Sequence, residues 1–193
     1  MVWNIHGVLN AVAEDEHGAS AKRSPYEISI IDFIEDYSFN AKRREILFGL
    51  LGFRKRLYDM GCNSGFQWIN GSFCEDCERL RRRPPNDIDI VTFLDIPENF
   101  DFMAPENSLF QEKANNASQY YVDSYFMELG VQADASYIQQ IAYWYSLWSH
   151  QKDTNLWKGF LSIRLSPEED LRAMEILDSK IDENGEENES ESI

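Results

Sequence analysis

At 193 residues, 43% of them hydrophobic, the chain is long enough to bury one sizeable core and short for two. Its formal charge of −16 excludes general, charge-driven binding to duplex DNA, which needs a basic face. Six of the acids (Asp182, Glu183, Glu186, Glu187, Glu189 and Glu191) sit in residues 182–191, so the body of the chain carries nearer −10.

No run of about 18 apolar residues is present, and the first residues lack a charged stretch followed by an apolar one. The expectation is therefore a cytoplasmic protein with neither a membrane span nor a secretory signal. Three cysteines, an odd number, do not describe a disulfide framework. Cys74-x-x-Cys77 has no second pair to complete a zinc site, and Glu75, Asp76 and Glu78 disfavour a reactive thiolate.

Residues 1–23 show no sustained period and read as an N-terminal arm; residues 24–180 read as a single domain and residues 181–193 as a disordered acidic tail. Ser24-Pro25-Tyr26-Glu27 has the form of a capping box with proline at the first helical position, and the isoleucine-rich stretch after it is read as a short helix. From Asn40 to Met60, apolar residues recur at helical spacing, and Gly61 follows as a stop. The basic residues among them (Lys42, Arg43, Arg44, Arg54, Lys55, Arg56) read as a solvated face.

Phe66 to Asn70 alternates as a strand entering the Gly71-Ser72 turn. Residues 73–86, with Arg79, Arg81, Arg82, Arg83 and Pro84-Pro85, read as a break in regular structure. A strand over Asp87 to Leu94 places Asp87, Asp89, Val91 and Phe93 on one face. Two residues of extended chain separate the two carboxylates by about 7 Å, close enough to converge on one cation.

A long loop with a helical turn near Leu109 to Lys113 follows, then a strand over Tyr121 to Leu129 with Asp123 alone among apolar residues. A buried charge there needs a partner or a cation. Ser136 to Trp148 is an aromatic helix, read as core; Lys158 to Leu165 reads as a strand; Ser166-Pro167-Glu168-Glu169 opens a helix to about Lys180. These elements make an α+β domain, a small mixed sheet flanked by helices.

A Gly-Ser turn, a later Asp-x-Asp strand and a third carboxylate on a neighbouring strand resemble the polymerase-β-like nucleotidyltransferase superfamily. The resemblance covers about Phe66 to Leu129. Within it, Trp68-Ile69-Asn70-Gly71-Ser72-Phe73, Pro85 to Val91 and Lys158-Gly159 are similar to a group of small stand-alone bacterial members, some encoded near phage-defence genes. The spacer between Ser72 and Asp87 is longer than is customary.

The resemblance implies a metal-dependent enzyme that moves a nucleoside monophosphate from an NTP or dNTP to a hydroxyl on a protein side chain, a nucleotide or an oligonucleotide. Asp87, Asp89 and Asp123 would be both catalytic and metal-binding, taking two Mg²⁺ ions or Mn²⁺. Gly71, Ser72 and Lys158 would bind nucleotide. The neighbouring Arg79, Arg81, Arg82 and Arg83 read as a solvated surface loop, with contact to a triphosphate or an oligonucleotide acceptor as the alternative. A toxin–antitoxin or anti-phage setting is implied with it. The alternative is a catalytically inactive interaction module on the same fold, an antitoxin or a nucleotide sensor.

Overall fold

The computed structural model describes residues 3–111 and 113–190, with side chains described through Lys180. It is an α+β architecture built on one five-stranded mixed sheet of order β1-β5-β2-β3-β4. In chain order the elements are β1 (Tyr26–Glu27), α1 (Ile30–Tyr37), α2 (Ala41–Asp59), β2 (Gly65–Asn70), α3 (Cys77–Arg81), β3 (Ile88–Leu94), α4 (Lys113–Tyr120), β4 (Val122–Glu128), α5 (Ala135–Trp148), β5 (Leu161–Arg164) and α6 (Pro167–Ser190). Single 3-10 segments occupy Ser72–Cys74 and Pro105–Phe110. Among the described residues no helix is long and apolar enough to cross a membrane.

The central strands β2 and β3 pair antiparallel, β3 and β4 pair parallel, and the register sets Asn70 opposite Asp89 and Asp89 opposite Asp123. Alternation divides the sheet into two apolar faces. Ile88, Ile90 and Leu94 of β3 join Ile69 of β2 and the buried residues of α1, α2 and α6 in the main core. Val91 and Phe93 face the other way and pack with Trp68, Met127, Phe160 and α5. Asp89, in phase with Val91 and Phe93, is thereby delivered to the α5 side at the strand's entry end.

Several sequence expectations need correction. The helix expected from Ser24 begins instead at an Ile30 capped by Ser29, whose hydroxyl accepts from Asp32 N. The backbone before it is used in the sheet: Tyr26 N donates to Phe160 O and Ile28 N to Ser162 O, so residues 26–28 stay extended. Arg43 and Arg54 of α2 are not solvated but fully buried. Residues 73–86 are not without regular structure, because Asp76 caps α3 by accepting from Arg79 N. The strand read over Lys158–Leu165 is confined to Leu161–Arg164. The helix read to Lys180 is traced to Ser190.

The aromatic helix α5 is not core all round. Only Trp148 is buried, while Ile138, Tyr143 and Leu147 are half exposed. One sheet face can cover only one stripe of a helix that is apolar on every side.

The N-terminal arm lies on the body. Val8, Leu9 and Ala11 are buried, Gly159 N donates to Leu9 O at 2.8 Å, and Asp76 N donates to Gly7 O at 2.9 Å. It thereby braces α3 and the approach to β5 at one wall of the cleft.

Candidate functional site

Where β2, β3 and β4 present their ends to the C-terminus of α5, a cleft of about 900 Å³ opens. The cleft brings together all six residues singled out from sequence: Gly71, Ser72, Asp87, Asp89, Asp123 and Lys158. They are spread over 88 positions of chain, and the sheet register is what gathers them.

Gly71 ends β2 with φ +76, a left-handed conformation suited to glycine. Space demands glycine as well: a Cβ at position 71 would fall 1.7 Å from Asp89 Oδ2. The turn and the Asp-x-Asp strand are thus in direct contact, with the Ser72 backbone starting a 3-10 turn over them. On the opposite side, Asn70 donates through Nδ2 to Trp148 O at 2.9 Å and ties the end of α5 to the cleft floor.

The carboxylates disfavour one another's charge. Burial, then Asp87 and Asp123, push Asp89 up to about 6, with Lys158 and Lys113 opposing. Asp87 is raised as well, by burial and by Asp123, against Arg83. Perturbed carboxyls in a cleft mark a candidate functional site on physical grounds.

Asp123 is held differently from the other two. Lys113 Nζ lies 2.7 Å from its Oδ1, and the Tyr125 hydroxyl donates to its Oδ2 at 3.3 Å. Among the described residues no group of three or more His, Cys, Asp or Glu side chains is arranged to hold a metal ion. Asp87 and Asp89 nonetheless suit a hard cation that arrives with a ligand: Mg²⁺ characteristically takes one or two carboxylates and completes its shell from substrate phosphates and water.

Lys158 lines the cleft but is committed within the protein. Its ammonium donates to Glu75 Oε1 at 2.7 Å, and Gln151 Nε2 and Arg81 Nη2 meet Glu75 Oε2 at 3.0 and 3.1 Å. Glu75 and Lys158 are both buried, so this carboxylate fixes the cationic wall of the cleft. Arg81 and Arg83 reach the cleft, whereas Arg79 closes back on Asp76 at 2.7 Å.

Cys74 and Cys77 are buried and free. Cys77 Sγ donates to Ser72 O at 3.0 Å, and burial pushes the Cys74 thiol up to about 12, which leaves it protonated and inert.

Sequence reasoning missed Lys113, Tyr125, Glu75 and Gln151. Tyr125 carries a usable signal, two residues beyond Asp123 on the same strand face. The other three are brought in by tertiary packing and carry no motif.

No curated protein and no solved structure matches the chain. A protein family matches residues 1–164, from the arm through β5 and so across every residue of the cleft. The chain belongs to the family of unknown function DUF6932.

Proposed function

We propose that the cleft transfers a nucleoside monophosphate from an NTP or dNTP to a hydroxyl acceptor, with Mg²⁺ as the cation. The observation that carries this reading is the contact of the Gly71 turn with Asp89 in the same cleft as Asp87 and the cationic wall of Arg81, Arg83 and Lys158. A glycine turn against paired carboxylates lets phosphate oxygens approach backbone N–H groups on one side and a carboxylate-bound cation on the other.

Asp87 and Asp89 would hold the ion, which when bound supplies positive charge to the triphosphate and to the departing pyrophosphate. Gly71 and Ser72 would cradle the terminal phosphates with backbone amides and the serine hydroxyl. The acceptor oxygen forms its bond to the α-phosphorus as the bond from that phosphorus to the bridging oxygen of the β-phosphate breaks. Asp123 takes the hydroxyl proton as general base, and pyrophosphate leaves with the electron pair of the broken bond.

Two acceptor classes fit the open cleft: a protein side chain, as in a toxin–antitoxin pair, or a nucleotide or oligonucleotide, as in anti-phage signalling. Both suit a cytoplasmic setting. Labelled NTPs and dNTPs with Mg²⁺ and cell extract as acceptor source should yield pyrophosphate and a labelled product. Asp87→Ala with Asp89→Ala should cut that yield at least 100-fold while the protein remains folded by circular dichroism. Pyrophosphate release absent with every nucleotide, or unchanged in the double variant, overturns the reading.

A second reading, a catalytically inactive nucleotide-binding module, draws support from the Lys113–Asp123 ion pair. Nucleotide binding by calorimetry without any turnover would favour it.

A further inference from the structure

We infer that in this chain the Lys113 ammonium stands in for the second of two divalent cations, so that the cleft takes a single Mg²⁺ with its nucleotide; this rests on the nucleotidyl-transfer reading above. In the two-metal arrangement for in-line displacement one ion serves the leaving oxygen and the other the attacking oxygen, and here Asp123 would be the carboxylate that adds to Asp87 and Asp89 in holding the second. Of the other carboxylates lining the cleft, Glu75 is held by Lys158, Gln151 and Arg81 and Asp153 faces Arg81, while Asp123, across the β3–β4 register from Asp89, already meets protein donors with both its oxygens.

An isolated surface ion pair would carry little weight. This one is held from two sides, and its helix is braced as well. The ammonium lies 3.4 Å from the centroid of the Tyr125 ring as well as 2.7 Å from Asp123. Cation–π attraction and the ion pair therefore act on one group.

The helix that carries it is anchored one turn on. The buried Asn116 amide donates to Leu109 O at 2.7 Å and to Ser124 Oγ at 3.1 Å, locking α4 to the residue that follows Asp123. Tyr120, at the end of α4, packs edge-on to Phe53 of α2. The lysine thus projects from a braced helix toward a strand position set by the β3–β4 register.

The ammonium also orients Asp123 and places one fixed positive charge beside it.

The test counts ions rather than turnover. Mn²⁺ is titrated, with electron paramagnetic resonance detecting free ion, into the protein saturated with each α,β-methylene nucleoside triphosphate in turn; these analogues resist cleavage at the bond that transfer breaks. One Mn²⁺ per protein–nucleotide complex is expected for the wild type, and two for Lys113→Met, whose fold is checked by its melting temperature.

Asp123→Asn serves as a second variant, and its count should stay at one. Two ions in the wild type, no gain in Lys113→Met, or loss of the single ion in Asp123→Asn overturns the inference while leaving nucleotidyl transfer standing. Failure of every analogue to bind with Mn²⁺ overturns the transfer reading and this inference with it.

Discussion

Asp89 is the residue on which stability and proposed function pull in opposite directions. Its carboxyl, raised from 3.8 to about 6 by burial and by Asp87 and Asp123, is destabilising to the folded chain whenever it is ionised. The sign follows from proton uptake. Between about pH 4 and 6 the folded chain holds a proton at Asp89 that the unfolded chain has released, so this group's contribution to stability improves as pH falls through 6 and is flat below 4. Asp89→Asn removes the charge at every pH. In EDTA, the variant should therefore be more stable than the wild type at pH 8, by up to about 3 kcal/mol for a two-unit shift, with the advantage shrinking towards pH 4. Thermal melts of both proteins from pH 4 to 8 measure this. An advantage that grows on acidification would show that Asp89 is not the strained group. A gain in stability coupled to lost pyrophosphate release would identify a carboxylate kept for chemistry at the fold's expense.

At the scale of elements, α2 is held by two buried guanidinium groups. Arg54 Nε and Nη2 grip the two oxygens of Asp170 in α6 at 2.6 and 2.8 Å, while Nη1 donates to Gln67 Oε1 of β2 at 2.8 Å and Nη2 to Arg164 O of β5 at 2.7 Å. Arg43 does the same at the other end of the helix, reaching Glu78 and the carbonyls of Phe73 and Glu75. Arg54→Ala should cost about 3–5 kcal/mol in chemical denaturation, because it strands the Asp170 carboxylate in the core; Arg54→Met with Asp170→Leu should recover most of that loss. A double variant no more stable than Arg54→Ala would show that the guanidinium's other bonds, not the unpaired carboxylate, set the cost.

The same helix shows where sequence reading stops. Its length and both ends are legible from periodicity and from Asn40 and Gly61, since those are local signals. The fate of Arg43 and Arg54 is not, because their carboxylate partners lie 35 and 116 residues away. Strands β2, β3 and β4 were legible because alternation and turn chemistry are written into short stretches, whereas the Gly71 turn and the carboxylates were placed in one site through the resemblance to nucleotidyltransferases, and the contact of Gly71 with Asp89 is set by the sheet register. Lys113 was not, because it reaches Asp123 from a helix whose placement depends on Asn116 finding Leu109 and Ser124. Nor was the exposed side of α5 legible, since a helix apolar all round does not say which stripe the sheet will cover.

Across the whole molecule, the arm and the cleft form one mechanical unit. Trp3 Nε1 donates to Cys74 O at 2.9 Å, and Asp76 N to Gly7 O at 2.9 Å, so the arm clamps the segment from Cys74 to α3 from outside. That segment carries Glu75 and Arg81, which position Lys158 in the cationic wall. At the other edge Gly159 lies so close to the arm that a Cβ there would fall 2.3 Å from Asn10 O. Removing residues 1–11 takes the Trp3 hydrogen bond away from Cys74 O and Leu9 out of the main core. Leu9 alone, buried in a packed core, is worth about 2–5 kcal/mol when truncated. The deletion should therefore lower the melting temperature by several degrees and, on the proposed function, weaken nucleotide binding more than tenfold through a Lys158 no longer held in register. The two effects separate experimentally. Hydrogen exchange should rise in residues 73–81 and 157–161 before it rises in β3 and β4, where Asp87, Asp89 and Asp123 reside. Uniform loss of protection across the sheet would instead mean that the arm stabilises the fold as a whole and has no particular hold on the cleft.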